Sequence, residues 1–238
     1  MLRSGSVKTF LNRLARPAQG AAPESGLTLI ECLVAIIIIG LTVGAVTPAL
    51  VISVASRVQS QKANQALEIA QGEIDQVRTL IERGDYTLTE LNASVPFVSV
   101  TGTITYSTAA QVPVPTNNPV PTADYDTYTE TKQIDYDGDG ENDYAAQVFR
   151  VANNADASTA FTMGVRVYDY DAALDANNLG SDSTDTARLG VTGSRGERDR
   201  LPLASLYTSI VRGEDSNSLC DYIEYLTNST PDDDYSCN

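Results

Sequence analysis

Three groups of residues in this 238-residue chain have the chemistry and spacing to build a site. Glu31 is the only charged side chain between Leu27 and Ala55, inside a long apolar run. The segment Asp135-Tyr136-Asp137-Gly138-Asp139-Gly140-Glu141-Asn142-Asp143 sets carboxylates at alternate positions. Cys220 and Cys237 lie close to the C-terminus, and the third cysteine, Cys32, adjoins Glu31. What is missing narrows the chemistry further. The chain has no histidine, so it cannot build a Ser/His/Asp or Cys/His nucleophile, a His-rich zinc site or an imidazole acid–base. Its 16 Lys and Arg stand against 31 Asp and Glu, a formal charge of −15 that opposes the basic field nucleic acids need. No nucleic-acid partner is expected.

The acidic run has two readings. Calcium takes six to eight hard oxygens, and Asp135, Asp137, Asp139 and Asp143, with the Glu141 carbonyl, can wrap them around one ion. The start resembles an EF-hand loop, but position twelve is Ala146, so the bidentate glutamate is missing. The closer likeness is to short DxDxDGxxD loops between strands. In the second reading the Asp-Gly pairs simply turn a hairpin between Ile134 and Tyr144. Crowded carboxylates repel without an ion, which favours calcium.

The elements that position these groups follow from composition. Residues 1–26 carry Arg3, Lys8, Arg13 and Arg16 against Glu24, a net of +3, which leaves −18 on the rest of the chain. The run from Leu27 to Ala55 exceeds the ~20 apolar residues that span a bilayer as helix. The positive-inside rule keeps the lead-in cytoplasmic and sends the acidic remainder across the membrane. A carboxylate such as Glu31 is costly in lipid, and no Lys or Arg lies within a turn or two of it. Cleavage after Gly26 would place a new amine on Leu27, and that amine on a neighbouring copy would neutralise Glu31. The alternative is a plain membrane anchor with Glu31 protonated or at the headgroups. Beyond the membrane, Val51, Val54, Ala55, Val58, Ala66, Ile69, Ala70, Ile74, Val77 and Ile81 continue a helical stripe, and Arg83-Gly84 ends it with a C-cap. The stripe requires a cover, for which a sheet from the rest of the chain serves.

Gly26-Leu27-Thr28-Leu29-Ile30-Glu31, followed by an apolar helix containing Gly40 and Pro48, resembles the type IV pilins and the pseudopilins of type II secretion. The resemblance implies that a prepilin peptidase cuts after Gly26 and methylates Leu27, where the family usually has Phe, and that Glu31 guides subunit docking. It implies other pilin or pseudopilin subunits, an inner-membrane assembly platform and the membrane as partners. Within the family, the long leader, the SVASRVQSQKANQALEIAQGEIDQVR strut and the late PLASLYTSIVRGEDSNSLCDY segment look most like the pseudopilins of cyanobacterial hormogonium polysaccharide secretion, linked to gliding motility.

The expected fold is α+β: a leader over 1–26, a membrane and assembly helix over 27–55, an amphipathic helix over 56–84, and a β-rich periplasmic head over 85–238. Strand patterns lie at Phe97–Tyr106, Tyr125–Ile134, Tyr144–Val151, Phe161–Tyr170 and Leu203–Val211, suggesting a small antiparallel sheet. The proline-rich Val112–Thr122 reads as an exposed connection in preference to a recognition segment. Residues 177–200, with Arg188, Arg195, Arg198 and Arg200 among acids, read as a solvated loop in preference to an anionic-polymer contact. Cys220 and Cys237 lie where oxidation is possible and would close a loop around Asp232-Asp233-Asp234. Two free thiols or a metal pair remain the alternative. Function is expected to be structural, a minor pilin or pseudopilin. A calcium-dependent membrane-anchored binding module that does not polymerise is the second class, and a glycosidase built on paired carboxylates the weakest.

Overall fold

The computed structural model describes residues 26, 28–99, 106–152, 158–179, 186–187, 200–213, 220, 222–223 and 225. The chain divides into two compact units, Met1–Leu50 and Val51–Asn238. Helix α1, Leu29–Arg83, supplies the described body of the first and opens the second.

In the first unit Thr28 and Glu31 start α1 as a reciprocal pair. The Glu31 N–H donates to Thr28 Oγ1 at 3.3 Å, and the Thr28 N–H donates to Glu31 Oε2 at 3.4 Å. This is the capping-box arrangement, which satisfies amides that a helix N-terminus leaves without partners. Every residue from Leu29 to Leu50 is exposed, and the helix is long and apolar enough to cross a membrane. It continues through Gly40 and Pro48, although proline brings no N–H to the ladder.

In the second unit the packed stripe is Ala66, Ala70, Ile74, Val77 and Ile81, recurring every three or four residues. It begins later than the sequence pattern suggests. Val51, Val54, Ala55 and Val58 are exposed, because the sheet reaches only the later turns. α1 ends where expected: Gly84, at φ 71°, donates to the Ile81 carbonyl in the left-handed conformation a C-cap requires.

The fold is α+β, with a helix packed on a five-stranded sheet. The strands are β1 (Phe97–Ser99), β2 (Lys132–Ile134), β3 (Tyr144–Ala152), β4 (Ala160–Asp169) and β5 (Ala204–Val211). β3, β4 and β5 form an antiparallel meander, while β1 and β2 both pair with β3, toward its opposite ends. The sheet is therefore mixed: β1 runs parallel to β3, matching Phe97 with Arg150, where wholly antiparallel pairing was expected. Two expected strands are much shorter. Only Lys132–Ile134 of Tyr125–Ile134 is strand, and Phe97 opens only three strand residues before 100–105, which lie outside the described set.

Alternation along β3 and β4 sends Tyr144, Ala146, Val148, Met163, Val165 and Val167 into the cluster with the α1 stripe. The opposite face is buried as well, with Phe149, Val151 and Ala160 packed with Ala109 and Val112, and Ala145 with Tyr168 and Ala173. Its cover includes α3 (Tyr106–Ala110) and α4 (Tyr170–Ala173). The proline-rich segment corrects the sequence reading only in part. Val112, Pro115 and Pro119 are buried, while Pro113, Thr116, Asn117, Asn118, Pro121 and Thr122 are exposed. Proline suits the buried positions because it has no N–H to leave unsatisfied while its carbonyls remain good acceptors.

Candidate functional site

The Glu31 end of α1 is exposed throughout, and so is Gly26; Leu27 lies outside the described residues. Glu31 has a local partner that spacing alone did not reveal, the Thr28 backbone. At 3.4 Å that contact sits at the long edge of hydrogen bonding, so the carboxylate keeps accepting capacity for a stronger cationic donor.

The acidic run occupies the loop from β2 to β3. Gly138 and Gly140 have φ of 79° and 92°, the left-handed region that glycine enters without strain. Asp135 organises the turn, its two oxygens accepting from the Gly138 and Gly140 amides at 2.7 and 2.9 Å. Asp143 accepts from the Tyr136 amide at 3.0 Å. Carboxylate oxygens of Asp135, Asp137 and Asp143 lie within 4.8 Å of one another. The Asp139 carboxylate does not join that group; its Oδ1 accepts the Glu141 amide at 2.8 Å. The converging atoms are hard carboxylate oxygens, which fit calcium, and the donors that hold the loop are its own amides. Three of the four aspartates expected from the sequence thus bring carboxylate oxygens together.

The loop and its surroundings are tied to one edge of α1. Tyr136 Oη donates to Glu68 at 2.9 Å, Tyr144 Oη to Gln65 at 2.7 Å, and Lys62 pairs with Asp169 at 2.6 Å. The Glu68 carboxylate holds the Tyr136 hydroxyl in its neutral form and raises its pKa. Burial, with Asp143 and Asp169 nearby, pushes Tyr144 up to about 12.

The interior polar groups went unseen in the sequence. Arg166 is fully buried, and its hydrogen-bond partners among the described residues are neutral: Tyr207 Oη, Gln147 Oε1, and the carbonyls of Pro113, Ala109 and Ala110. Those carbonyls include the C-terminal end of α3, where partial negative charge favours a cation. The guanidinium also lies 5.0 Å from the centroid of the Phe149 ring. Arg150, equally buried, donates to Asn92 Oδ1 at 2.9 Å and lies over the rings of Phe97 and Phe161. Glu73 and Lys132 form a buried ion pair at 2.8 Å. Helix α2 (Leu88–Ser94) also escaped the sequence reading, although Thr87-Leu88-Thr89-Glu90 carries a capping-box signature that could have found it. The two Thr87–Glu90 hydrogen bonds lower the Glu90 pKa, that of its carboxylate with the backbone first.

Among the described cysteines Cys32 is a free, exposed thiol and Cys220 is not free. Cys237, the expected partner, lies outside the described residues, as do Arg188, Arg195 and Arg198; Arg200 is exposed and donates to the Asn178 carbonyl at 3.1 Å. No protein-family model, curated protein or solved structure matches the chain.

Proposed function

We propose that the chain is a minor pilin or pseudopilin, a non-enzymatic structural subunit of a filament of the type IV pilus or type II secretion kind. The observation that carries the reading is Glu31. It sits at the first turn of a helix whose surface is apolar and uncovered through Leu50, one turn after Gly26. A prepilin peptidase cutting at Gly26 creates the Leu27 amine that pairs with Glu31 of a neighbouring copy, and helix surfaces then cover one another. Before assembly the protein sits in the inner membrane with the head periplasmic, where a Cys220–Cys237 disulfide closes the C-terminal segment. The finer assignment is a pseudopilin for polysaccharide export and gliding motility, resting on the likeness of the strut and the late segment.

Mass spectrometry of the membrane-resident protein tests the processing step, with a mature terminus at Leu27 expected and an intact lead-in refuting it. Glu31→Gln then tests assembly. The variant is expected to reach the membrane and stay out of filaments; incorporation at the parental level overturns the reading. Loss of exopolysaccharide with normal surface piliation on deletion supports the finer assignment.

The convergence of Asp135, Asp137 and Asp143 supports a second reading, a membrane-anchored head that binds its target through calcium and does not polymerise. Under that reading Glu31→Gln leaves function intact, while Asp135→Asn with Asp137→Asn abolishes both calcium uptake and target binding.

A further inference from the structure

We infer that Glu73 and Lys132 are a modification site, a pair of side chains that condense to an amide and bond α1 covalently to β2, with Glu130 moving the proton. Packing of the α1 stripe sets Glu73 against the sheet, where its Oε2 meets Lys132 Nζ at 2.8 Å. The two side chains are only 15% and 5% exposed, so water has little access to the contact. The carboxyl carbon lies one bond behind Oε2, which brings nucleophile and electrophile close to the approach such a reaction needs.

Lys132 is held at both ends. β2 pairs its backbone with Ala146, and its ammonium lies 5.3 Å from the centroid of the Tyr125 ring. Two full charges are costly in so dry a place, and one proton passed across the contact exchanges them for a neutral amine and a carboxylic acid, the forms that react. A second carboxylate is at hand. Glu130 stands at the bend leading into β2, two residues before Lys132, and its Oε2 is buried with no hydrogen-bond partner among the described residues. Burial raises the Tyr125 pKa and the charges of Glu73 and Glu130 add to the rise, so both carboxylates gather near the phenol whose ring faces the ammonium.

The step balances without a co-reactant. The Lys132 ammonium gives one proton to the Glu73 carboxylate, and the Nζ lone pair then attacks Glu73 Cδ. Glu130 takes a second proton from the nitrogen and passes it to the departing hydroxyl as the C–O bond breaks. An amide and one water are formed, and Glu130 ends as it began. The product ties the helix to the sheet by a bond that pulling on α1 cannot slip, whether or not the chain enters a filament.

A tryptic map of the full chain, purified in detergent and reduced, tests this. Trypsin does not cut at a linked lysine, so residues 63–78 and 84–150 should leave as one branched peptide, lighter by one water than the two together. Separate peptides 63–78 and 84–132 from the parental protein overturn the inference. Lys132→Arg keeps the cation without the amine and should give only separate peptides; a branch on 63–78 that survives in it overturns the assignment of Lys132. After a pulse of isotope-labelled synthesis, Glu130→Gln should link about a hundredfold more slowly while staying folded by circular dichroism. Linkage at the parental rate in that variant overturns the part given to Glu130.

Discussion

β3 runs past a break in its neighbours. β2 pairs with Tyr144–Ala146 and β1 with Arg150–Ala152, which leaves Val148 without a strand on that side. The phenol of Tyr125 fills the gap: it accepts from the Val148 N–H at 3.0 Å and donates to the Val148 carbonyl. Tyr125 is 2% exposed and Val148 fully buried, so water has no ready route to replace it. Tyr125→Phe removes one oxygen and keeps the ring under the Lys132 ammonium. It deprives two buried backbone groups of their partner, at about 1–3 kcal/mol each, and allowing for relaxation the loss should be about 2–4 kcal/mol. With a urea dependence of about 2 kcal/mol per M, the unfolding midpoint of the full chain in detergent should fall by about 1–2 M. Hydrogen exchange at the Val148 amide should quicken in step. Tyr136→Phe, which loses only a rim contact with Glu68, serves as the control and should move the midpoint by less than about 0.5 M. A Tyr125→Phe protein that matches this control, with Val148 still protected, would refute the gap-filling argument.

The other expectations concern the same sheet. A Cβ on Gly164 would sit 2.4 Å from the Phe149 ring on the paired strand, so Gly164→Ala should cost about 1–3 kcal/mol, read by thermal unfolding. Arg166→Met should destabilise by on the order of 3 kcal/mol, because it takes away the donor to the buried Gln147 Oε1; Arg166→Lys should recover only part, since an ammonium cannot reproduce a five-donor fork. Tyr125, Tyr144 and Tyr168 all have raised pKa values, burial being the first cause in each. Their neutral forms are favoured in the fold, so that stability is complete below about 10, the tyrosine value in an unfolded chain, and is lost as pH rises from there through the folded values. Phenolate absorbance against pH, followed beside circular dichroism, should show tyrosine ionisation and unfolding rising together above pH 10, and free titration of all three at 10 in a folded protein would contradict it.

Much of the architecture was legible because it rests on periodicity. The apolar run, the stripe at Ala66, Ala70, Ile74, Val77 and Ile81, and the Gly84 stop are local patterns, and local patterns set helix type, face and end. β3, β4 and β5 were visible as strands for the same reason, though not the order in which they pair. The acidic loop was legible as a turn rich in hard oxygens, although of its aspartates only Asp135, Asp137 and Asp143 converge.

Arg150 and Arg166 were not legible, since an arginine in a strand pattern reads as a solvent-facing residue. Their acceptors come from segments distant in sequence, Asn92 for one and Ala109 to Pro113 with Tyr207 for the other. The docking of the proline-rich segment on the sheet followed the same rule, its Pro113 carbonyl taking donors from Gln147 and Arg166 on neighbouring strands. By itself the sequence determined the helix, its apolar surface, the lone acid at its start and the strands that could cover its later turns, all of which depend on residues within a few positions of one another. Only the tertiary structure decided which polar groups are buried and with what partners, how β1 joins the sheet, and where α1 stops being covered, because each depends on segments that meet only once the chain has closed on itself.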